Sequence, residues 1–303
     1  MAFALYSIHR KPKVSFHSSI IRPIWHLHFL KSTMYKPAVF CSLFIALSFS
    51  CSRPPYYSTN KVYKKQATLF AATLKSNPAP VATNNNVPSY WVGTTNFNLR
   101  KPNFVIIHHT AQNSCEQTLK TFTLARTQVS AHYVICKDGT IHHMLNDYLR
   151  AWHGGVAKWG SLIDINSASI GIELDNNGFE TFSEPQLSSL LVLLDTLKNR
   201  YSIPANNFIG HADIAPTRKN DPNINFPWQT LAQKGFGSWF GDTTNLILPA
   251  SFNTVQALRI VGYDTKDSVA AIQAFKRHFL ADSTIGLQES GKKILYNLML
   301  KAM

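Results

Sequence analysis

The first 115 residues contain no aspartate or glutamate; the first acid is Glu116. That stretch still carries 13 of the 30 lysines and arginines, so the other 17 face all 16 acids. The net charge of +14 therefore belongs to the N-terminal part, and the rest of the chain is close to neutral. No basic face of the kind a phosphate backbone requires is indicated, which excludes nucleic acid as the partner. Cysteine is scarce as well. Cys41, Cys51, Cys115 and Cys136 form no C-x-x-C pair, which argues against a cysteine-held zinc site. No apolar run reaches the ~20 residues that a membrane-spanning helix needs. Charged residues make up 15% of the chain and hydrophobic ones 45%. Such a chain can fill a core and is not disordered overall. Its 303 residues are enough for about two domains.

What the N-terminus does have is an address. Met34 opens a second plausible start, followed by Lys36, an apolar run from Ala38 to Phe49, and Ser50-Cys51. This is the order of a signal peptide: a positive end, an apolar stretch and a small residue before the cut. Leu47-Ser48-Phe49-Ser50-Cys51 is similar to a bacterial lipobox, with Cys51 as the lipidation candidate. The other reading is an ordinary cleaved signal with Cys51 a bystander. Residues 1–33, rich in Arg, Lys and His, precede a complete signal, and the expectation is that Met34 is the true start. Residues 52–90 carry Pro54-Pro55, Pro78, Pro80 and Asn84-Asn85-Asn86. They read as a flexible tether with one short helix around 61–74.

Residues 91–245 alternate strand and helix patterns. Phe104-Val105-Ile106-Ile107 is a continuous apolar strand of the kind buried in a sheet, and it runs into His108-His109-Thr110-Ala111. Glu116–Arg126 has helical spacing. Ser130–Ile135 reads as a strand, and Asp138-Gly139 as a hairpin turn into Thr140–Leu145. Ser169–Leu174 is a further strand with Glu173 near its end. Ser183-x-x-Gln186 reads as a capping box opening a helix to about Tyr201. Phe208-Ile209-Gly210-His211 is a short strand that ends in a histidine. The class is α/β, a mixed central sheet flanked by helices.

His108, His211 and Asp221 suit a zinc ion. Two imidazoles and a carboxylate leave a fourth position open, the arrangement of a catalytic rather than a structural site. Such an ion activates water and polarises a carbonyl. Glu173 then suits the general base, and Lys219 suits a developing oxyanion. Spacing alone does not single these out, because eight histidines follow residue 100 and a lone strand histidine is more often structural.

The ordered motifs do more. Ile107-His108-His109-Thr110-Ala111, Arg150-Ala151-Trp152-His153-Gly154-Gly155, Ser169–Leu174 and Gly210–Pro222 together resemble the type 2 N-acetylmuramoyl-L-alanine amidases, in the AmiD/AmpD group of a family that also holds peptidoglycan recognition proteins. The resemblance covers about residues 90–240. It implies one zinc ion held by His108, His211 and Asp221, with Glu173 and Lys219 catalytic. The implied reaction is hydrolysis of the amide between N-acetylmuramoyl, or 1,6-anhydro-muramoyl, and L-alanine in peptidoglycan or muropeptides. His109 is not counted as a ligand. The block around Trp152 resembles a substrate-facing loop, and Arg150, Trp152, His153 and Arg218 are the candidate substrate contacts. For Trp152 and His153 a purely structural place is nearly as good a reading. His132 is a candidate support for the site, and His142 and His143 read as edge-strand residues. A Cys115–Cys136 disulfide remains open.

Residues 250–303 show three helical patterns, over Thr254–Gly262, Val269–Phe279 and Ser290–Met299. This small helical domain resembles peptidoglycan-binding domains appended to the same amidases, and a helical cap with no ligand is the equal alternative. At about 50 residues its core is marginal, so packing against the catalytic body is expected. The overall expectation is an exported, monomeric lipoprotein enzyme. It would be held to the membrane by an N-terminal lipid, at the outer membrane facing the periplasm. The competing reading is a protein of the same fold that binds peptidoglycan without cutting it. It is disfavoured because non-catalytic relatives lose a metal ligand and all three are present here.

Overall fold

The computed structural model describes residues 53–76, 92–99 and 101–303. The signal segment and Cys51 lie outside the described residues. Helix α1 (Tyr57–Lys75) has no buried residue. It is longer than the short helix expected within the tether. No proline or glycine occurs between Tyr57 and Lys75, so nothing local stops it. No described helix is long and apolar enough to cross a membrane.

The elements from residue 101 onward are β1 (Phe104–His109), α2 (Cys115–Thr123), β2 (Tyr133–Ile135), β3 (Ile141–His143), α3 (Ile165–Ala168), β4 (Ser169–Leu174), α4 (Glu184–Tyr201), β5 (Phe208–Gly210), α5 (His211–Ile214), α6 (Trp228–Gln233), α7 (Thr254–Val261), α8 (Ser268–Phe279) and α9 (Glu289–Ala302). The strands form one mixed sheet in the order β3-β2-β4-β1-β5. β1 is parallel to both β4 and β5, β2 is parallel to β4, and β3 returns antiparallel to β2.

Alternation along the strands sorts side chains onto two faces. Val105, Ile107, Ile170, Ile172 and Leu174 face one core, covered by Leu190, Leu193, Leu194 and Leu197 of α4 and by Trp228 and Leu231 of α6. Ile106 and Ile209 face the other, with Ile165 of α3 and Ile214 of α5. His108 and Glu173 are register partners on β1 and β4. His108 follows Ile106 on the second face, so both functional candidates emerge there, at the carboxyl ends of parallel strands. Open α/β sheets bind their ligands at that edge.

Several local expectations change. β2 is only Tyr133–Ile135, because Ser130 turns to the loop that carries Trp152, while His132 still bonds to β4. Ser130 donates its backbone N–H to Trp152 O, and His132 donates to Gly171 O. α2 stops at Thr123 and a separate 3-10 turn covers Ala125–Thr127. Ser183 does cap α4. Gln186 does not close the box; its amide donates to Ile135 O and Asp175 O instead, tying α4 to the ends of β2 and β4.

Helices α7 to α9 share a core built on Leu258, Phe275 and Leu295, with Trp159 and Trp239 packed against it. Gly262 ends α7 at φ +132°, and a Cβ there would stand 2.5 Å from the Trp159 ring. Glycine is thus required both by the backbone and by the packing.

Candidate active site

β1 delivers His108, the junction of β5 and α5 delivers His211, and the loop after α5 delivers Asp221. All three are buried. His108 Nδ1 lies 2.9 Å from His211 Nδ1 and 3.1 Å from Asp221 Oδ2, and His211 Nδ1 lies 3.0 Å from the same oxygen. Ala212 N–H donates to Asp221 O at 2.7 Å, locking the loop to the helix that carries His211.

The hydrogen bonds behind this triangle assign the protons. Ser169 Oγ donates to Ile165 O at 2.7 Å, so it accepts from His153 Nε2 at 3.1 Å. His153 Nδ1 is then an acceptor and takes the proton of His108 Nε2 at 3.0 Å. His211 Nε2 donates to Gly154 O at 3.1 Å. Both Nδ1 atoms are therefore left as lone pairs, and they meet a carboxylate oxygen with no proton between them. Burial, with His211 beside it, also pushes the His108 pKa down to about 4, which favours the neutral ring.

Three acceptors facing one another in a buried site repel unless a cation lies among them. Four tetrahedral ligands ~2.0–2.1 Å from zinc stand ~3.3 Å apart, close to the edges of this triangle. The donor set, tautomers and spacing fit zinc. The supporting partners match the general pattern in which a ligating imidazole donates its other N–H to a protein acceptor.

Glu173 lies beside this cluster. Its carboxylate is buried and Oε2 has no hydrogen-bond partner among the described residues. Burial, with Asp221 nearby, pushes its pKa up to about 8. Glu173, Lys219 and the three acceptor residues line one cleft of about 310 Å³, whose outer walls include Phe122, Val129 and Trp152. Trp152 is half exposed there.

The other candidate substrate contacts, Arg150, His153 and Arg218, are each engaged by protein atoms, although His153 and Arg218 also line the cleft. Both ring nitrogens of His153 are held by protein atoms, so it supports His108 and has no polar atom left for a substrate. Its ring lies against Gly171 of β4, where a Cβ would come within 2.4 Å of it; a larger residue in that strand would exclude it. Arg150 binds Asp164 and Ser167. Arg218 donates to Gly154 O and Val156 O, bracing the turn that receives His211 Nε2. His132 is a satisfied core residue: it donates to Leu149 O and accepts from Gly171 N–H.

Reasoning from the sequence missed Ser169, Asn166 and Gly171. Asn166 Oδ1 accepts from the backbone N–H of His153 and Gly154. A glycine inside an apolar strand was the one available signal of close approach. Cys115 and Cys136 form a disulfide, with 5.3 Å between their Cα atoms, joining the start of α2 to the end of β2.

The chain matches the family described as N-acetylmuramoyl-L-alanine amidase over residues 98–224. It is 33% identical over 206 residues to the N-acetylmuramoyl-L-alanine amidase AmiD of Escherichia coli K12, covering 58% of this chain and 74% of that protein. It is 39% identical over 105 residues to the 1,6-anhydro-N-acetylmuramyl-L-alanine amidase AmpD of Citrobacter freundii, covering 35% of this chain and 56% of that one. Among solved structures, E. coli AmiD in complex with the substrate anhydro-N-acetylmuramic acid-L-Ala-D-gamma-Glu-L-Lys aligns with a TM-score of 0.60. It has 28% identity and covers 73% of this chain and 97% of that chain. AmpDh3 of Pseudomonas aeruginosa in complex with anhydromuramic pentapeptide aligns with a TM-score of 0.61 and 26% identity, covering 73% and 98%. The chain belongs to the N-acetylmuramoyl-L-alanine amidase family, in the group that holds AmiD and AmpD.

Proposed function

We propose that the protein is a zinc-dependent amidase that hydrolyses the bond between N-acetylmuramoyl or 1,6-anhydro-muramoyl residues and L-alanine, in peptidoglycan or in released muropeptides. The observation that carries this reading is the meeting of three deprotonated metal-binding atoms with the buried Glu173 carboxylate, whose Oε2 is unpartnered among the described residues, in one open cleft.

His108 Nδ1, His211 Nδ1 and Asp221 Oδ2 would hold the ion. Bound there, zinc supplies positive charge that polarises the scissile carbonyl and makes water more acidic. Glu173 Oε2 takes a proton from the attacking water, and the C–N bond breaks as the same proton passes to the amine of L-alanine. The products are a muramic carboxylate and a peptide with a free L-alanine N-terminus. Lys219 places its ammonium on the developing oxyanion, where a fixed charge stabilises the transition state more than the ground state. Trp152 offers an exposed aromatic face on which a sugar ring stacks, and Phe122 and Val129 close the apolar side of the cleft.

The protein acts in the cell envelope, exported by the segment from Met34 and anchored by a lipid on Cys51, as a monomer. The Cys115–Cys136 disulfide supports this, since such bonds persist in oxidising compartments.

The test is incubation of the zinc-loaded protein with purified peptidoglycan and with anhydro-muropeptides, read by mass spectrometry. Free peptides beginning with L-alanine, lost with a chelator and in Glu173→Ala, are expected. Intact substrate that still co-sediments with the protein would replace the enzyme by a binding protein.

A further inference from the structure

Helix α5 has four residues, too few to hold a direction of its own, and yet it carries His211. Its third residue, Asp213, is buried and is not among the residues that line the cleft. Asp213 Oδ2 accepts from the backbone N–H of Gly210 at 2.8 Å and from His278 Nδ1 at 2.7 Å, and Oδ1 accepts from Tyr263 OH at 2.9 Å. Gly210 is the residue before His211. Tyr263 and His278 belong to the C-terminal helices, the first just after α7 and the second on α8.

Both donors are themselves fixed. The His278 ring stacks on Trp228 at 3.9 Å between centroids and 12° between planes. The Tyr263 ring packs edge-on to Trp159 at 5.0 Å, and Gly160 N–H donates to Gly262 O at 2.7 Å. A buried carboxylate with three well-aligned donors is stable, and with its donors removed it becomes a costly unpaired charge. A rearrangement of Asp213 would turn α5. Because Ala212 N–H holds Asp221 O, that rotation would move His211 and Asp221 together.

We infer that the C-terminal helical domain is part of the metal-binding apparatus: Tyr263 and His278 act through Asp213 as positioning residues for His211 and Asp221. The domain therefore does more than bind substrate or cap the fold. This inference rests on the zinc reading above. It makes the three C-terminal helices inseparable from the catalytic body in function, although they form a core of their own.

The experiment uses the intact protein and the variant Tyr263→Phe/His278→Phe, which removes both donors and keeps two aromatic rings. Leu258→Ala is the control, since Leu258 is fully buried in the C-terminal core and alanine keeps the backbone carbonyl that accepts from Tyr263 N–H. Zinc affinity is measured by chelator competition, the visible spectrum is recorded after cobalt substitution, and Tm is measured without metal. The double variant is expected to bind zinc roughly 10–100-fold more weakly and to show an altered cobalt spectrum. Leu258→Ala should lower Tm and leave zinc affinity and spectrum unchanged. A folded double variant with wild-type zinc affinity would overturn the inference, as would an equal loss in Leu258→Ala. If the double variant does not fold, Tyr263→Phe alone should weaken zinc in the same direction, and no change would overturn the inference. Wild-type protein that holds no zinc would remove the metal reading and this inference with it; wild-type binding with an unaffected variant removes only the inference.

Discussion

Replacing Glu173 by glutamine should abolish hydrolysis and, in the metal-free protein, raise stability. The side chains have the same shape, and Oε2 has no partner to lose among the described residues. The ordinary value for the carboxyl is 4.5, and burial followed by the nearby Asp221 raises it to about 8 in the folded protein. The folded state thus binds the proton more tightly than the unfolded state. Stability must fall as pH rises through 4.5, and it keeps falling until about 8. At ~1.4 kcal/mol per pH unit, the carboxyl costs about 3 kcal/mol at pH 7 and about 5 kcal/mol above pH 8. Glutamine has no such term. Urea unfolding of both proteins in a chelator should show equal stability near pH 4 and a widening advantage for Glu173→Gln towards pH 8. Saturating zinc adds positive charge beside Glu173 and should shrink the advantage. Parallel pH curves, or a variant less stable than wild type at pH 8, would refute the reasoning that the site is built at the expense of stability.

Further consequences are accessible to similar measurements. His153→Ala takes away the acceptor of His108 Nε2–H and should weaken zinc binding roughly 10–100-fold, read by chelator competition. Gly171→Ala puts a methyl 2.4 Å from the His153 ring; it should lower stability by about 1–3 kcal/mol and weaken zinc as well, whereas a loss of stability alone would place His153 outside the metal site. Cys115→Ala/Cys136→Ala opens a link across 21 residues, and denaturant unfolding should show a loss of about 3 kcal/mol. Trp152→Ala should raise KM with little change in Tm, because its side chain is half exposed and lines the cleft.

The sequence made the sheet legible where both faces are buried. Phe104–Ile107 is a short apolar run and Ser169–Leu174 is rich in isoleucine and leucine, both patterns of interior strands, and each carries a chemically active side chain at or near its end. The candidate ligand set was legible through ordered motifs, since spacing alone could not choose among eight histidines, and the fold brings its three members together. The roles of Arg150, His153 and Arg218 were not legible. Polar residues in a substrate-like loop look the same whether they point at ligand or at backbone, and their internal partners, among them Asp164 and the turn at Gly154–Val156, appear only in the fold. The bond between Asp213 and His278 spans 65 residues of sequence; no local pattern announces a contact of that range. Gln186 shows a similar limit, because the tertiary acceptors Ile135 O and Asp175 O outcompeted its local cap.

The most direct test of the account is a crystal structure of the zinc-loaded protein with anomalous data collected at the zinc edge. The account predicts one ion ~2.0–2.1 Å from each protein ligand: His108 Nδ1, His211 Nδ1 and Asp221 Oδ2. Glu173 should be free of the metal, and His108 Nε2 should still be within hydrogen-bond distance of His153. An ion bound through either Nε2 atom, or no anomalous peak between the two histidines and Asp221, would contradict it.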